Sequence, residues 1–206
     1  MSIIHRTTLK PTKLELLAGW LPGRPWYEGS ESPELAKAGG FRLDDPEGEV
    51  GVEFMVTTDA SGTAYLVPLT YRGAPLDGAE HALIGTLEHG VLGRRWAYDG
   101  CHDPVLVTEL FALIEGRAQP QAQSIDSTPD HEIAHSYGGT GGLRATGPAV
   151  DDATGTVIRA SDGTTLRLHR RLGLPDSPPP GALGHVSGHW TTADGSPTRG
   201  LFAELR

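Results

Sequence analysis

Several residue types that carry chemistry in other proteins are scarce in this sequence. There is one cysteine, Cys101, so no intrachain disulfide can form and cysteine-based zinc motifs are excluded. No apolar run approaches the ~18 residues of a membrane-spanning helix. The first ten residues, MSIIHRTTLK, lack the uninterrupted apolar segment of a signal peptide. We therefore expect a cytoplasmic protein.

Basic residues are also few. The chain has 17 lysines and arginines against 26 aspartates and glutamates, which gives a net charge of -9. A nucleic-acid interface needs a basic footprint, and docking on an anionic membrane needs polybasic clusters, so we expect neither partner. The 28 glycines and 16 prolines favour short strands and turns over long helices.

The apolar residues are densest between residues 65 and 115, and they predict the core of a first domain. Thr12 and Glu15 have the spacing of a capping box and predict a helix over KLELLAGW. Asp103 is expected to cap a second helix that starts at Pro104. A shorter helix is predicted within SPELAKAG, at residues 32–39.

Alternating apolar residues predict several strands. Residues 50–56 and 65–71 form a hairpin with one solvent-facing side. Pro68 lacks a backbone donor, so the second of these strands should be an edge strand or should bulge there. Further strands are expected near 82–87 and 94–98. After a polar linker near 117–128, the chain is nearly all short strands, with the clearest hairpin turn at Asp162-Gly163.

Four segments resemble a known family: WLPGRPWY, YLVPLTYRG, WAYDGCHDPVLVTELFALI and GTTLRLHRRLGLPD. They are similar to the N-terminal cap of actinobacterial maltokinases and to its use in related glucosamine kinases. The resemblance implies an α+β fold. Residues 1–120 would form a cystatin-like antiparallel sheet packed on helices, and residues 121–206 a β-rich subdomain similar to a kinase N-lobe.

The resemblance to a kinase N-lobe also implies a phosphate-binding group at residues 154–167. Arg167 occupies the position of a phosphate-binding lysine, and Thr154 and Thr156 lie on the preceding strand and its turn. Arginine can bind phosphate but does not replace a lysine point charge equivalently. The sequence contains no His-Gly-Asp or Asp-Phe-Glu stretch, and it stops at Arg206, where a catalytic C-lobe would begin. We therefore expect no catalytic residues for phosphoryl transfer.

Three aromatic residues, Trp20, Trp26 and Tyr27, lie among prolines near the N-terminus. They are interpreted as an aromatic plug against the core. The alternative is a stacking surface for a sugar, because exposed aromatic faces beside an arginine suit carbohydrate contacts.

His131, Glu132 and His135 form an H-E-x-x-H pattern. On a helix, this pattern places two imidazoles on one face for zinc, with the glutamate as general base. The glycines from Gly138 onward leave room for little more than two helical turns. Nothing in the spacing selects a third ligand among His169, His185 and His189. A chance match on a strand or turn therefore competes with a metal site, and no metal or other cofactor is expected.

These observations lead to one main hypothesis and two alternatives. The main hypothesis is a non-catalytic binding or regulatory protein of α-glucan, trehalose or amino-sugar metabolism, with a protein partner or a second copy of itself. A sugar or nucleotide is a further candidate ligand. The alternatives are the N-terminal half of a split sugar kinase and a zinc hydrolase that uses His131, Glu132 and His135.

Overall fold

The computed structural model describes residues 9–123 and 128–206, and in this part of the chain the strands form one antiparallel sheet. The strands of the first half are β1 (Leu9–Lys10), β2 (Ala36–Leu43), β3 (Gly51–Thr58), β4 (Ala64–Arg72), β5 (Leu83–His89) and β6 (Gly93–Asp99). Those of the second half are β7 (Gln121–Ala122), β8 (Ala134–Tyr137), β9 (Val150–Asp151), β10 (Gly155–Arg159), β11 (Thr165–His169), β12 (Gly184–Thr191) and β13 (Pro197–Leu205).

Within the described ranges two α-helices accompany the sheet, α1 (Lys13–Trp20) and α2 (Pro104–Ile114). Three 3-10 turns lie at Leu21–Gly23, Glu80–Ala82 and Gly100–His102. Both predicted caps are confirmed. Thr12 and Glu15 form a reciprocal capping box at the start of α1, and the Asp103 carboxylate accepts a hydrogen bond from the Val105 N–H in the first turn of α2.

The sheet closes on itself. Its hydrogen-bonded order is β1-β5-β6-β4-β3-β2-β12-β13-β11-β10-β9. The chain leaving β11 then returns to the start of β4, where Tyr65 and Arg171 form an antiparallel bridge. Two backbone hydrogen bonds of 2.8 Å, from the Leu66 N–H to the Arg170 carbonyl and from the Leu172 N–H to the Ala64 carbonyl, hold this contact. Strands β4, β3, β2, β12, β13 and β11 therefore form a closed circuit.

The main core lies against one side of this circuit and contains α2. The helix is apolar almost all round, which is typical of a buried helix. Its Leu106, Leu110, Phe111, Leu113 and Ile114 are buried. They join alternate residues of the strands in one apolar cluster. Within it the Phe41 and Phe54 rings stack in parallel at 4.5 Å.

A second apolar layer covers the opposite face of β3 and β4. It consists of Leu17, Trp20, Leu21 and Trp26 packed on Met55, Tyr65, Val67 and Leu69. The prediction of one solvent-facing side for this hairpin is therefore wrong, although the hairpin itself is confirmed. The pattern of β3 could not reveal the cover, because α1 and the segment after it come from a part of the chain that is distant in sequence.

Pro68 does not lie on an edge strand, which corrects the sequence-based expectation. Strand β4 pairs with β3 along its length. On its other side, residues 64–66 bond to residues 170–172, and Leu69–Arg72 pair with β6. Pro68 lies between these two partners of β4, at the point where the hydrogen-bonded neighbour of β4 changes. The backbone N–H that proline lacks is not needed there.

Residues 32–39 do not form the predicted helix, because Ala36–Leu43 is strand β2. Phe41 and Leu43 alternate into the core, and tertiary burial outweighs local helix propensity there. At Gly40, φ is +125° and an added Cβ would lie 2.0 Å from the Phe54 carbonyl oxygen. Close strand pairing therefore requires glycine at this position.

The fold is predominantly antiparallel β with a few helices, and the expectation of a cystatin-like α+β fold holds only in that coarser form. The proposed division at residue 120 remains a prediction. The two segments are joined by pairing of β12 with β2 and by a common core. Of the predicted linker, Gln121–Ala122 pairs with β2, and residues 124–127 lie outside the described residues.

No helix in residues 9–123 or 128–206 combines the length and the apolarity needed to cross a membrane.

Candidate functional site

The most highly charged part of the interior lies where the neighbour of β4 changes. Asp99, at the end of β6, is opposite Leu69, and the Arg170 carbonyl accepts the Leu66 N–H. The two side chains meet beside Pro68, in the gap between these pairings. We call this group, with Asp151 and Thr156, the Asp99–Arg170 centre.

Arg170 and Asp99 form a bidentate ion pair in this centre. Arg170 Nη2 lies 2.7 Å from both carboxylate oxygens of Asp99, and the two residues are at most 1% exposed. Arg170 Nε donates to the Thr156 hydroxyl at 2.7 Å, and that hydroxyl donates to Asp151 Oδ1 at 2.5 Å. The guanidinium also lies over the Trp26 ring, 5.0 Å from its centroid. A buried pair of this kind holds two segments in register more than it adds stability.

Two further groups border the Asp99–Arg170 centre. Burial raises the pKa of the Cys101 thiol to about 12, against the opposing effect of Arg170, so this cysteine is not an activated nucleophile. Burial also lowers the pKa of His102, although Asp99 acts in the opposite direction. His102 Nδ1 lies 3.2 Å from His81 Nε2, with the two rings edge to face.

A second buried carboxylate, Glu53 on β3, has different surroundings. Its Oε2 accepts bonds from Lys13 Nζ at 2.5 Å and from the Tyr71 hydroxyl at 2.7 Å, and its Oε1 accepts one from Gln123 Nε2 at 2.6 Å. Burial alone would raise its pKa, but Lys13, Tyr71 and Lys37 together bring it below the usual range. We call this group the Glu53 centre. It fastens α1 and the segment after β7 to the sheet.

The structure brings Arg167 and Thr154 of the predicted phosphate group together and places Thr156 elsewhere. Arg167 pairs with the Asp152 carboxylate, Nη2 to Oδ2 at 2.8 Å, and donates to the Thr154 hydroxyl at 2.8 Å. Hydrogen bonds from Arg167 hold the pKa of Asp152 well below its usual range. Thr156 is fully buried and bonds to Arg170 instead. Successive strand residues face opposite sides, and Arg167 and Thr156 are on different ones.

The aromatic trio lies mostly in the core. Trp26 is 0% exposed and Trp20 is 8% exposed. Their rings pack at 5.8 Å, Trp26 packs on Tyr65 at 6.3 Å, and Arg24 covers Trp20 at 4.8 Å from the ring centroid. Tyr27 is half-buried against Tyr65. This arrangement matches the aromatic plug and leaves Trp26 no free face for a sugar.

The H-E-x-x-H residues do not form a helix. His131 and Glu132 lie in a turn, and His135 lies in strand β8. Glu132 binds Arg199 through both its side chain and its carbonyl. The zinc-hydrolase arrangement expected on a helix is therefore absent. His131 and His135 do line one open cleft of ≈ 410 Å³ together with Arg117 and Asp130. Its size is within the range of small-molecule pockets.

Sequence reasoning missed the Asp99–Arg170 centre. Asp99 and Arg170 are separated by 71 positions, and each lies beside residues that suggested something else. Asp99 is the last residue of β6, just before a 3-10 turn, and Arg170 is one of two adjacent arginines after a hairpin strand. The one available signal was a charged residue at a position expected to be buried, and Arg170 has this property. The sequence pattern does not identify its partner, Asp99.

In this arrangement an N-terminal sheet is tied to a following β segment. Residues 20–103 match the family model of the maltokinase N-terminal cap domain. This region of the chain is therefore similar to the cap of maltokinase-type sugar kinases. The match includes Trp26, Asp99 and His102 but ends before Asp151 and Arg170. No curated protein matches the chain.

Proposed function

We propose that this protein is a non-catalytic binding module that acts by docking on a maltokinase-type sugar kinase. One observation carries the proposal. Arg167, the cation expected at a phosphate site, is already engaged by Asp152 and Thr154, whereas Thr156 is buried under Arg170. A phosphoryl-transfer site needs free cationic groups around the phosphates. This geometry therefore favours a protein that acts through a binding surface over one that binds phosphate at Arg167, Thr154 and Thr156.

The docking surface we assign is the end of the β5–β6 hairpin. Val91 and Leu92 are 60% and 46% exposed there. Exposed apolar residues that are grouped mark interaction sites more often than isolated ones do. Both lie within residues 20–103, the region that resembles the cap of a kinase, so the occupant we assign is such a kinase.

The test is a binding titration between the purified chain and a purified maltokinase, followed by calorimetry and by sedimentation. We expect a defined stoichiometry and at least about a tenfold weaker affinity for the double variant Val91→Asp/Leu92→Asp, since two apolar contacts at about 1.4 kcal/mol each exceed that factor. The matched control is Leu174→Asp/Leu183→Asp. These two leucines are similarly exposed but lie outside the matched region.

Two results would overturn the proposal. One is ATP-dependent phosphorylation of maltose or glucosamine by the purified chain alone, which would make it a kinase. The other is the absence of kinase binding by the wild-type chain at protein concentrations of about 100 μM, at which a complex with a Kd of about 1 μM is nearly saturated. Equal losses in both double variants would refute the assigned surface.

A further inference from the structure

Three potential metal-ligating side chains converge at the Asp99–Arg170 centre. One ligand atom from each of Asp99, His102 and Asp151 lies within 4.8 Å of the other two. They come from three elements: the end of β6, the 3-10 turn Gly100–His102 and strand β9. Ligands on opposite sides of an ion with ~2.1 Å bonds are about 4.2 Å apart. Small side-chain adjustments would therefore let all three reach one ion.

Each of the three residues keeps a lone pair that the described chain does not use. Asp151 Oδ1 accepts the Thr156 hydroxyl, and Oδ2 accepts no bond. Asp99 Oδ2 accepts only from Arg170, although a carboxylate oxygen can accept two bonds. His102 contacts His81 through Nδ1, and Nε2 makes no hydrogen bond. The same cluster thus offers one nitrogen and two oxygen donors.

The charges of the centre do not balance. Asp99 and Asp151 contribute two negative charges. Arg170 contacts Asp99 directly and reaches Asp151 only through the Thr156 hydroxyl, so the sum with its one positive charge is -1. The two neighbouring histidines add no charge when they are neutral. A buried or half-buried carboxylate without a compensating charge is costly. A divalent cation would bring the sum to +1, and a hydroxide or another anion bound to that ion would bring it to zero.

An independent observation also points to a missing group. Arg170 Nη1 is buried and has no hydrogen-bond partner among the described residues. Buried guanidinium N–H groups are rarely left unpaired. Nη1 belongs to the same planar guanidinium as Nη2, which lies 2.7 Å from Asp99, and it is the one nitrogen of that group without a partner among the described residues. A water or anion bound to an ion there would supply the acceptor that Nη1 lacks.

We propose that Asp99, His102 and Asp151 bind one divalent transition-metal ion, with His81 orienting His102. The mixed nitrogen and carboxylate donors suit Zn²⁺ and its analogue Co²⁺ better than Ca²⁺, which takes six to eight oxygen ligands. A second histidine that holds the ring of a metal ligand is a common supporting contact. The bound ion would link residues 99–102 of the cap-like region to β9, which lies beyond the family match. This site is independent of the kinase docking proposed above.

The experiment uses the full chain after treatment with a chelator and gel filtration. Zn²⁺ is titrated by calorimetry, and Co²⁺ by its visible absorption, which reports direct ligation. We expect one equivalent of either ion. Asp151→Asn and His102→Gln should each weaken binding more than about tenfold, and His81→Ala about ten- to a hundredfold, the range for a supporting contact. Circular dichroism verifies that each variant is folded.

The control is His131→Ala/His135→Ala, which removes the two histidines of the open cleft and should leave binding unchanged. If that variant loses the ion while Asp151→Asn keeps it, the ion binds in the cleft and the proposal is wrong. An absence of Zn²⁺ and Co²⁺ binding by the folded wild-type chain would overturn it as well.

Discussion

Glu53 and Asp99 are both buried carboxylates on the same sheet, and each accepts three hydrogen bonds, but the cations beside them differ. Two lysines, Lys13 and Lys37, act on the charge of Glu53. Asp99 has the single guanidinium of Arg170, which is also linked through one hydroxyl to a second carboxylate, Asp151. The comparison separates a structural anchor from a centre with unused ligand atoms, although both are buried carboxylates.

The reason for the difference is where the partners come from. Lys13 is 30% exposed and reaches Glu53 from the surface helix α1, so its charge remains partly hydrated. Arg170 is fully buried and comes from the strand that closes the sheet. The Glu53 centre therefore ties an outer layer to the sheet, and the Asp99–Arg170 centre ties two parts of the sheet to each other.

The largest expected effect is that of Arg170→Met. The substitution leaves Asp99 buried without its cation, and breaking a buried pair in this way costs about 3–5 kcal/mol in the free energy of unfolding. Urea unfolding followed by tryptophan fluorescence measures it, since Trp26 contacts the guanidinium. The matched control is Arg167→Met, which breaks the half-exposed pair with Asp152 and should cost about 0–1 kcal/mol. Equal losses in the two variants would contradict the assignment.

A smaller loss is expected from Glu53→Gln. Hydrogen bonds to a charged group contribute about 1.5–3 kcal/mol, and the amide cannot accept all three donors equally well. Lys13 can turn toward water after the change, which limits the cost. The same urea titration measures the loss. If Glu53→Gln destabilises the protein more than Arg170→Met, the ranking of the two centres is reversed.

Removing one hydroxyl group from each centre compares how much a single hydrogen bond contributes to stability in the two centres. Thr156→Val keeps the shape but leaves Arg170 Nε without an acceptor, which should cost about 1–3 kcal/mol. Tyr71→Phe removes one of three donors to the charged Glu53 and leaves the other two, so about 1.5–3 kcal/mol is expected. Thermal unfolding of each variant, compared with that of the wild type, shows which substitution lowers the free energy of unfolding more.

The smallest expected effect is the pH dependence of the unfolding free energy, because it is only a part of the stabilisation that Glu53 contributes. The folded-state pKa of Glu53 lies below its unfolded value, so the stabilisation is present above ~4.3, the usual pKa of a glutamate. It is lost as pH falls through the folded-state pKa. The difference in unfolding free energy between the wild type and Glu53→Gln should be constant from pH 7 to 5 and shrink below pH 4. A difference that grows on acidification would show the opposite shift.

Local patterns predicted much of the secondary structure. The capping residues Thr12 and Asp103 marked both helix starts, and alternation predicted the β3–β4 and β10–β11 hairpins. These features depend on neighbours within a few positions, so the sequence contains what is needed to find them. The first four residues of the strand at Ala36–Leu43 were wrongly predicted as helix, because their pairing partners, and not their own propensity, decide their conformation.

The candidate sites, in contrast, were not predicted correctly by local patterns. Arg167 and Thr156 were grouped by sequence, but the alternation of paired strands put them in different environments. The H-E-x-x-H pattern left a zinc-binding helix and a chance match on a strand or turn as alternatives, and pairing of β8 with β12 makes its last residues extended. A short motif shows only which residues are close in sequence. Its chemistry depends on the face of the strand or helix from which each side chain projects.

By itself, the sequence determined the scarcity of basic residues, the single cysteine, the capped helices and the resemblance to a maltokinase cap, since each is a property of composition or of local order. Only the tertiary structure decided that the sheet closes through Tyr65 and Arg171, and that Asp99, Asp151 and Arg170 meet. Long-range pairing brings together residues whose separation along the chain carries no signal. The chemistry of the interior is therefore set at the point where the sheet closes.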